Sequence, residues 1–230
     1  MVLEVIATCM DDAIAAEANG ADRLELITAI TEGGLTPGIG LVKRAVNAVR
    51  IPVFVMVRPH SRSFVYGKRD IETMAAEIEA VVQAGASGIV LGALTPDRQI
   101  DERALEALLP LTGGLPVTFH RAFDELDDQL GGLRTLAKYP PIRRVLTSAG
   151  PGPATEAMPE MRRLVEAASG GPVAIMAGSG LKPESIADFV RQTGVTEVHF
   201  GSAVRYGRNG LSPIDPEALL SLAEAVRRIG

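Results

Sequence analysis

The chain has 230 residues, 47% hydrophobic and 22% charged, with no tryptophan and only 4% aromatics, so it can fill a large core and that core must be aliphatic. A net charge of −5 with no basic run excludes the electrostatic footprint of a nucleic-acid binder, and no apolar run approaches the roughly 20 residues of a membrane helix. The single cysteine, Cys9, excludes an intramolecular disulfide and fits a reducing compartment.

The first apolar run, Leu3–Ala7, is interrupted by Glu4 and follows no basic segment, so it reads as a strand and not as a signal peptide. Cys9-Met10 opens a helical stretch that stops near Gly20, where a left-handed cap is expected. Arg23–Ile27 is the second strand, followed by the loop Thr31-Glu32-Gly33-Gly34-Leu35-Thr36-Pro37. Val53–Val57 is the third and runs into Arg58-Pro59-His60. Asp70 then marks a helix with apolar residues at Ile71, Met74, Ala75, Ile78, Val81 and Val82, closed by Gly85. Gly88–Leu91 is the fourth strand, and Asp101 introduces the next helix. Val117–Phe119 is the fifth strand and ends in His120-Arg121-Ala122-Phe123-Asp124; Arg144–Leu146, the sixth, ends in Thr147-Ser148. Val173–Met176 runs into Ala177-Gly178-Ser179-Gly180, a helix follows Pro183 and stops at Gly194, and Glu197–Phe200 runs into Gly201-Ser202-Ala203. Strand and helix thus alternate eight times without a long linker, which predicts an α/β protein of the (β/α)8 TIM-barrel class, with residues 1–230 as one domain.

In such a barrel the chemistry sits at the C-terminal ends of the strands, and a phosphate site commonly follows strands 7 and 8. The turns containing Gly178, Ser179 and Gly180, and Gly201 and Ser202, stand at those two places, where backbone N–H groups can cradle an anion. Glycines that merely allow tight turns are the alternative. Glu4 and Glu25 lie within apolar strands, where a charge is expensive to bury unless paired. One reading makes Glu4, Glu25 and Arg58 a buried ion-pair network that only closes the barrel. The other makes Glu25 and His120 a proton-transfer pair, with Arg58 orienting a carboxylate or enediolate oxygen and keeping Glu25 ionised. Asp124 would then fix the His120 tautomer, Ser148 would donate to substrate, and His199 would be an interior packing histidine.

Several segments resemble the CutC family: Glu25-Leu26, the Thr31–Pro37 loop, Ile51–Pro59, Leu94-Thr95-Pro96-Asp97, Pro116–Asp124 and Val145–Ser148. The resemblance covers nearly the whole chain. It implies a (β/α)8 barrel, a cytoplasmic protein, and a role in copper homeostasis with copper as a bound ion. Many members carry a cysteine on strand 1 and another after the Glu-Leu of strand 2; those places are Ile6 and Ile27 here. Cu(I) prefers thiolate and thioether ligands, which leaves Cys9, beside Met10, as the metal candidate. A small semi-buried thiol at a helix start is the ordinary alternative. Two functions follow as expectations: copper binding, or an isomerase, epimerase or lyase acting on a small phosphorylated metabolite. Neither involves nucleic acid or a membrane, and a homo-oligomer is compatible with both.

Overall fold

In a computed structural model, which describes residues 1–229, eight parallel strands close into a barrel in sequential order. The strands are β1 (Val2–Ala7), β2 (Arg23–Leu26), β3 (Val53–Met56), β4 (Gly88–Leu91), β5 (Val117–Phe119), β6 (Ile142–Thr147), β7 (Ala174–Ala177) and β8 (Glu197–Phe200). The helices between and after them are α1 (Met10–Ala18), α2 (Ile39–Ala48), α3 (Lys68–Gln83), α4 (Glu102–Leu108), α5 (Gln129–Leu136), α6 (Met158–Ala168), α7 (Ile186–Thr193) and α8 (Pro216–Ile229). The (β/α)8 TIM-barrel expectation is met.

Local chemistry explains most boundaries. Asp101 caps α4 by accepting the Ala104 N–H at 3.0 Å, and Gly194 ends α7 in the left-handed region at φ 75°. Asp70 differs from its expected place. The helix begins earlier, at Lys68, and the Asp70 carboxylate reaches back to the Gly67 N–H at 3.0 Å. Strand β6 also begins earlier, at Ile142, ahead of the expected Arg144. In α7, Ile186, Phe189, Val190 and Thr193 fall on one face and are buried.

Two apolar regions result. The larger lies between the strands and the surrounding helices and takes the outward residues, such as Leu3, Val5, Leu24 and Leu26. The smaller fills the barrel interior with Ile27, Phe54, Met56 and Val90. Strand alternation therefore turns Glu4, Arg23 and Glu25 inward, away from the larger region. Parallel register then sets Glu4 opposite both Arg23 on β2 and His199 on β8. Among the described residues no helix is long and apolar enough to cross a membrane.

Candidate active site

A cavity of about 1170 Å³ opens at the C-terminal ends of the strands, where Glu25, Arg58, His120, Arg121 and His199 line it. The floor beneath it is ionic. Arg23 donates through Nε to Glu4 and also pairs with Glu197, which Arg144 Nε reaches at 3.1 Å. The guanidinium carbons of Arg23 and Arg144 stand 5.2 and 4.9 Å from the centre of the Phe54 ring. Arg58 takes no part in this network. The partner of Glu4 is Arg23, which corrects the grouping of Glu4, Glu25 and Arg58. Strand alternation, which puts Arg23 and Glu25 on one face, was the sequence feature that pointed there.

His199 connects the floor to the cavity. Its Nδ1 lies 2.8 Å from Glu4 Oε1 and its Nε2 lies 3.8 Å from Glu25 Oε2. It is therefore a member of the charged cluster rather than a packing residue. Burial works against the imidazolium, but Glu25 and Glu4 outweigh it and raise the His199 pKa. Burial alone would also raise Glu4, yet Arg23 and His199 hold it at about 2. Glu25 behaves oppositely. Burial dominates, His199 opposes it only in part, the Glu4 charge adds to it, and the carboxyl is pushed up to about 7. Glu25 is 2% exposed, and its Oε1 has no hydrogen-bond partner among the described residues. Arg58 is not among the groups that move Glu25, so the expectation that Arg58 keeps it ionised does not hold.

Arg58 is held by the loop after β2. Gly33 and Gly34 take φ of 82° and 89°, a conformation that suits glycine, and the carbonyls of Glu32 and Gly34 accept from Arg58 Nη1 at 3.0 and 3.3 Å. The Phe64 ring lies 4.5 Å from the guanidinium carbon. Among the described residues no carboxylate pairs with Arg58, which is 7% exposed, and its Nε is unpartnered. His120 packs on Phe64 with centroids 4.9 Å apart, in the space left by the missing side chain of Gly92. Its Nδ1 accepts the Ala122 N–H at 3.2 Å, which puts the proton of the neutral ring on Nε2. Burial and then the Arg58 charge lower its pKa to about 3, so His120 stays neutral at physiological pH.

Asp124 and Ser148 depart from their expected roles. Asp124 does not touch His120. It accepts from Thr147 Oγ1, from the Ser148 N–H at 3.1 Å and from Arg121 Nε at 2.8 Å. Ser148 is buried behind it, with Oγ 2.9 Å from Asp124 and 2.7 Å from the Gly150 carbonyl oxygen. Together the pair positions Arg121 at the cavity rim, a residue given no role on sequence grounds.

Ser179, Gly180, Gly201 and Ser202 line the cavity, and their N–H groups have no backbone acceptor among the described residues. Gly178 is different: its N–H continues the sheet to the Thr147 carbonyl at 2.9 Å and has no capacity left for a ligand. A side chain there would meet Leu146 at 2.6 Å and His199 at 3.3 Å, so Gly178 serves close packing.

The metal candidates are scattered. Cys9 is exposed at the start of α1 and is not among the cavity residues, whereas Ile6 and Ile27 are. Glu4, Glu25 and His199 each bring a ligand atom within 4.8 Å of the others. Both Glu4 oxygens are already engaged, by Arg23 and by His199, and the set contains no sulfur. The residues present do not fit Cu(I), which prefers sulfur.

The model of the CutC family matches residues 1–204. The human "Copper homeostasis protein cutC homolog" is 40% identical over 86% of this chain and 72% of its own length. The crystal structure of the putative copper homeostasis protein CutC from Streptococcus agalactiae superposes with TM-score 0.82 at 32% identity, covering 86% of this chain and 97% of that one. The phosphoribosyl anthranilate isomerase of Thermococcus kodakaraensis superposes with TM-score 0.65 at 17% identity, over 100% of this chain and 99% of that one, a likeness of fold alone.

Proposed function

The chain belongs to the CutC family, and from the chemistry of its cavity we propose that it is an enzyme that moves a proton on a small phosphorylated metabolite, as an isomerase, epimerase or lyase does. Glu25 carries this reading. It is a buried carboxyl with a pKa of about 7, an unpartnered oxygen and a place on the cavity wall. A group poised near the working pH both takes and returns a proton efficiently. His199, whose pKa Glu25 and Glu4 raise against the effect of burial, stands between the two carboxyls and is the proposed partner of Glu25 in proton exchange. His120 drops out of the proton-transfer pair because its ring is neutral well below pH 7. The free N–H groups of Ser179, Gly180, Gly201 and Ser202 are the proposed seat of the phosphate.

Mass spectrometry of small molecules that copurify with the protein tests the substrate class directly; recovery of phosphate esters is expected. In parallel, inorganic phosphate should raise the melting temperature more than chloride at matched ionic strength, and Ser202→Asp should remove the difference. Equal responses to phosphate and chloride would reduce the two turns to turns.

The names of the relatives bring copper to this chain as a second subject. With Ile6 and Ile27 on the cavity wall and Cys9 outside it, no step of the proposed reaction runs through copper. Cu(I) is expected to bind weakly at a single site and to lose it in Cys9→Ser, as read by titration against a competing chelator. Tight binding that survives Cys9→Ser would overturn this.

A further inference from the structure

We infer that Arg58 Nε and His120 Nε2 form a two-donor site for a substrate oxyanion, so that the metabolite is a phosphorylated α-hydroxy carbonyl compound deprotonated next to its carbonyl group. The inference rests on the acid–base role of Glu25 and adds the identity of the group being activated.

Both atoms are buried without a hydrogen-bond partner among the described residues, as is the hydroxyl of Tyr66, which lies within reach of the Arg58 guanidinium. Arg58 and His120 both line the cavity that Glu25 lines. An unsatisfied buried donor costs about 1–3 kcal/mol, and a charged one costs more, so two such donors on residues that line the same cavity point to a ligand acceptor. They are fixed from behind. Phe64 packs on both, two loop carbonyls hold Arg58 Nη1, and the Ala122 N–H holds His120 Nδ1. Neither donor needs to reorganise when charge develops on the bound oxygen, which is what makes preorganised donors effective. The Arg58 charge also keeps His120 neutral, so its N–H polarises the oxygen without protonating it. Arg58 has no carboxylate partner among the described residues, and an anionic oxygen would supply its counter-charge.

The step balances with the residues present. The Glu25 carboxylate takes the proton from the carbon beside the carbonyl. The C–H bonding pair becomes the C=C bond of an enediolate, and the carbonyl π pair moves onto oxygen between Arg58 and His120. Protonated Glu25 then returns the proton to the same or the neighbouring carbon. No oxidant, reductant or second substrate is required.

Stable acids that present two coplanar oxygens imitate the enediolate. The test compares 3-phosphoglycerate and 4-phosphoerythronate with glycerol 3-phosphate and erythritol 4-phosphate, which keep the phosphate but end in an alcohol. Isothermal titration of the wild-type chain should give at least one acid about tenfold or more tighter than its alcohol partner. His120→Leu should abolish that preference while leaving the alcohol affinity unchanged, and His120→Gln, which keeps a neutral donor, should retain part of it. Nitrogen-15 spectra should show the His120 proton on Nε2, with that proton moving downfield on addition of the preferred acid and not of its alcohol. If no acid outbinds its alcohol, or if His120→Leu keeps the preference, the two-donor site is wrong even where phosphate binding stands. If the preference holds and Glu25→Gln retains full turnover, the acid–base role fails and the oxyanion site survives.

Discussion

Inside the barrel, Glu4, Arg23, Arg144 and Glu197 lie one layer below Glu25, Arg58 and His120. In the lower layer each charge faces an opposite charge, and two of the cations rest against Phe54. In the upper layer Glu25, Arg58 and His120 each keep a buried polar atom without a partner among the described residues. The same residue types therefore do different work one step along the strands. A closed set of charges fixes the shape of the barrel and leaves nothing for a ligand to satisfy. An open set leaves specific donors and acceptors unsatisfied, at a cost in stability that a ligand recovers on binding. Glu4 and Glu25 compress the contrast into one pair: from the same ordinary value, one carboxyl falls to about 2 and the other rises to about 7.

The sharpest way to break the contrast is Arg23→Met. It takes the guanidinium from fully buried Glu4 and leaves Glu197 with Arg144 alone, and breaking a buried pair typically costs about 3–5 kcal/mol. Chemical denaturation should show a loss of that order, and Arg23→Met combined with Glu4→Gln should recover part of it. The additional stabilisation by phosphate, measured on the folded variant, should be unchanged. A variant that stays stable but loses the phosphate response would place Arg23 in the ligand site.

Glu25→Gln should do the reverse. Turnover on the copurified metabolite should fall about 10²–10⁴-fold, the usual range for a general acid–base group. The fold should not suffer at pH 7. Glu25 binds its proton more tightly in the folded chain, so its contribution is complete below the ordinary value of 4.5 and is lost as pH rises through about 7. Over that window the wild-type chain should lose on the order of 3 kcal/mol, and Glu25→Gln should flatten the slope. Glu4 acts with opposite sign: its contribution is present above 4.5 and lost as pH falls through about 2, so the acid limb should survive in Glu25→Gln. An unchanged slope between pH 4.5 and 7 would put the two carboxyls back into one structural set.

The barrel was legible in the sequence because strand–helix alternation is local, and every strand appears within two residues of its expected start. The position of Glu25 and the glycine turns followed from the same count. What stayed hidden depends on contacts across strands. Parallel register, invisible in a single segment, gives Glu4 the partners Arg23 and His199 in place of Arg58. The neutrality of His120 follows from burial and from a cation on another strand, and no motif around His120 encodes either. Asp124 lies four residues from His120 in sequence yet turns to β6, because Thr147 and Ser148 offer it hydroxyl and N–H donors there. Gly178 looked equivalent to Gly180, but its N–H belongs to the sheet.

The mildest test removes only the ring that Arg23 and Arg144 share, on a residue that the register pairs with Glu25. Phe54 is 3% exposed, and its ring covers Gly88 so closely that a side chain at Gly88 would meet the ring at 2.2 Å. Phe54→Leu keeps an apolar residue of smaller size and deletes the ring face that Arg23 and Arg144 approach. A cation–π contact contributes from about 0.5 kcal/mol when exposed to about 2 kcal/mol or more when desolvated, and the lost ring volume adds a small cavity cost. The expected loss is about 1–2 kcal/mol, read from the denaturation midpoint, with the ion pairs of Glu197 intact. Because Phe54 is not among the cavity residues, phosphate stabilisation and the acid-over-alcohol preference should both persist. If either falls along with stability, the two layers are mechanically coupled, and the lower one helps to set the geometry of the donors above it.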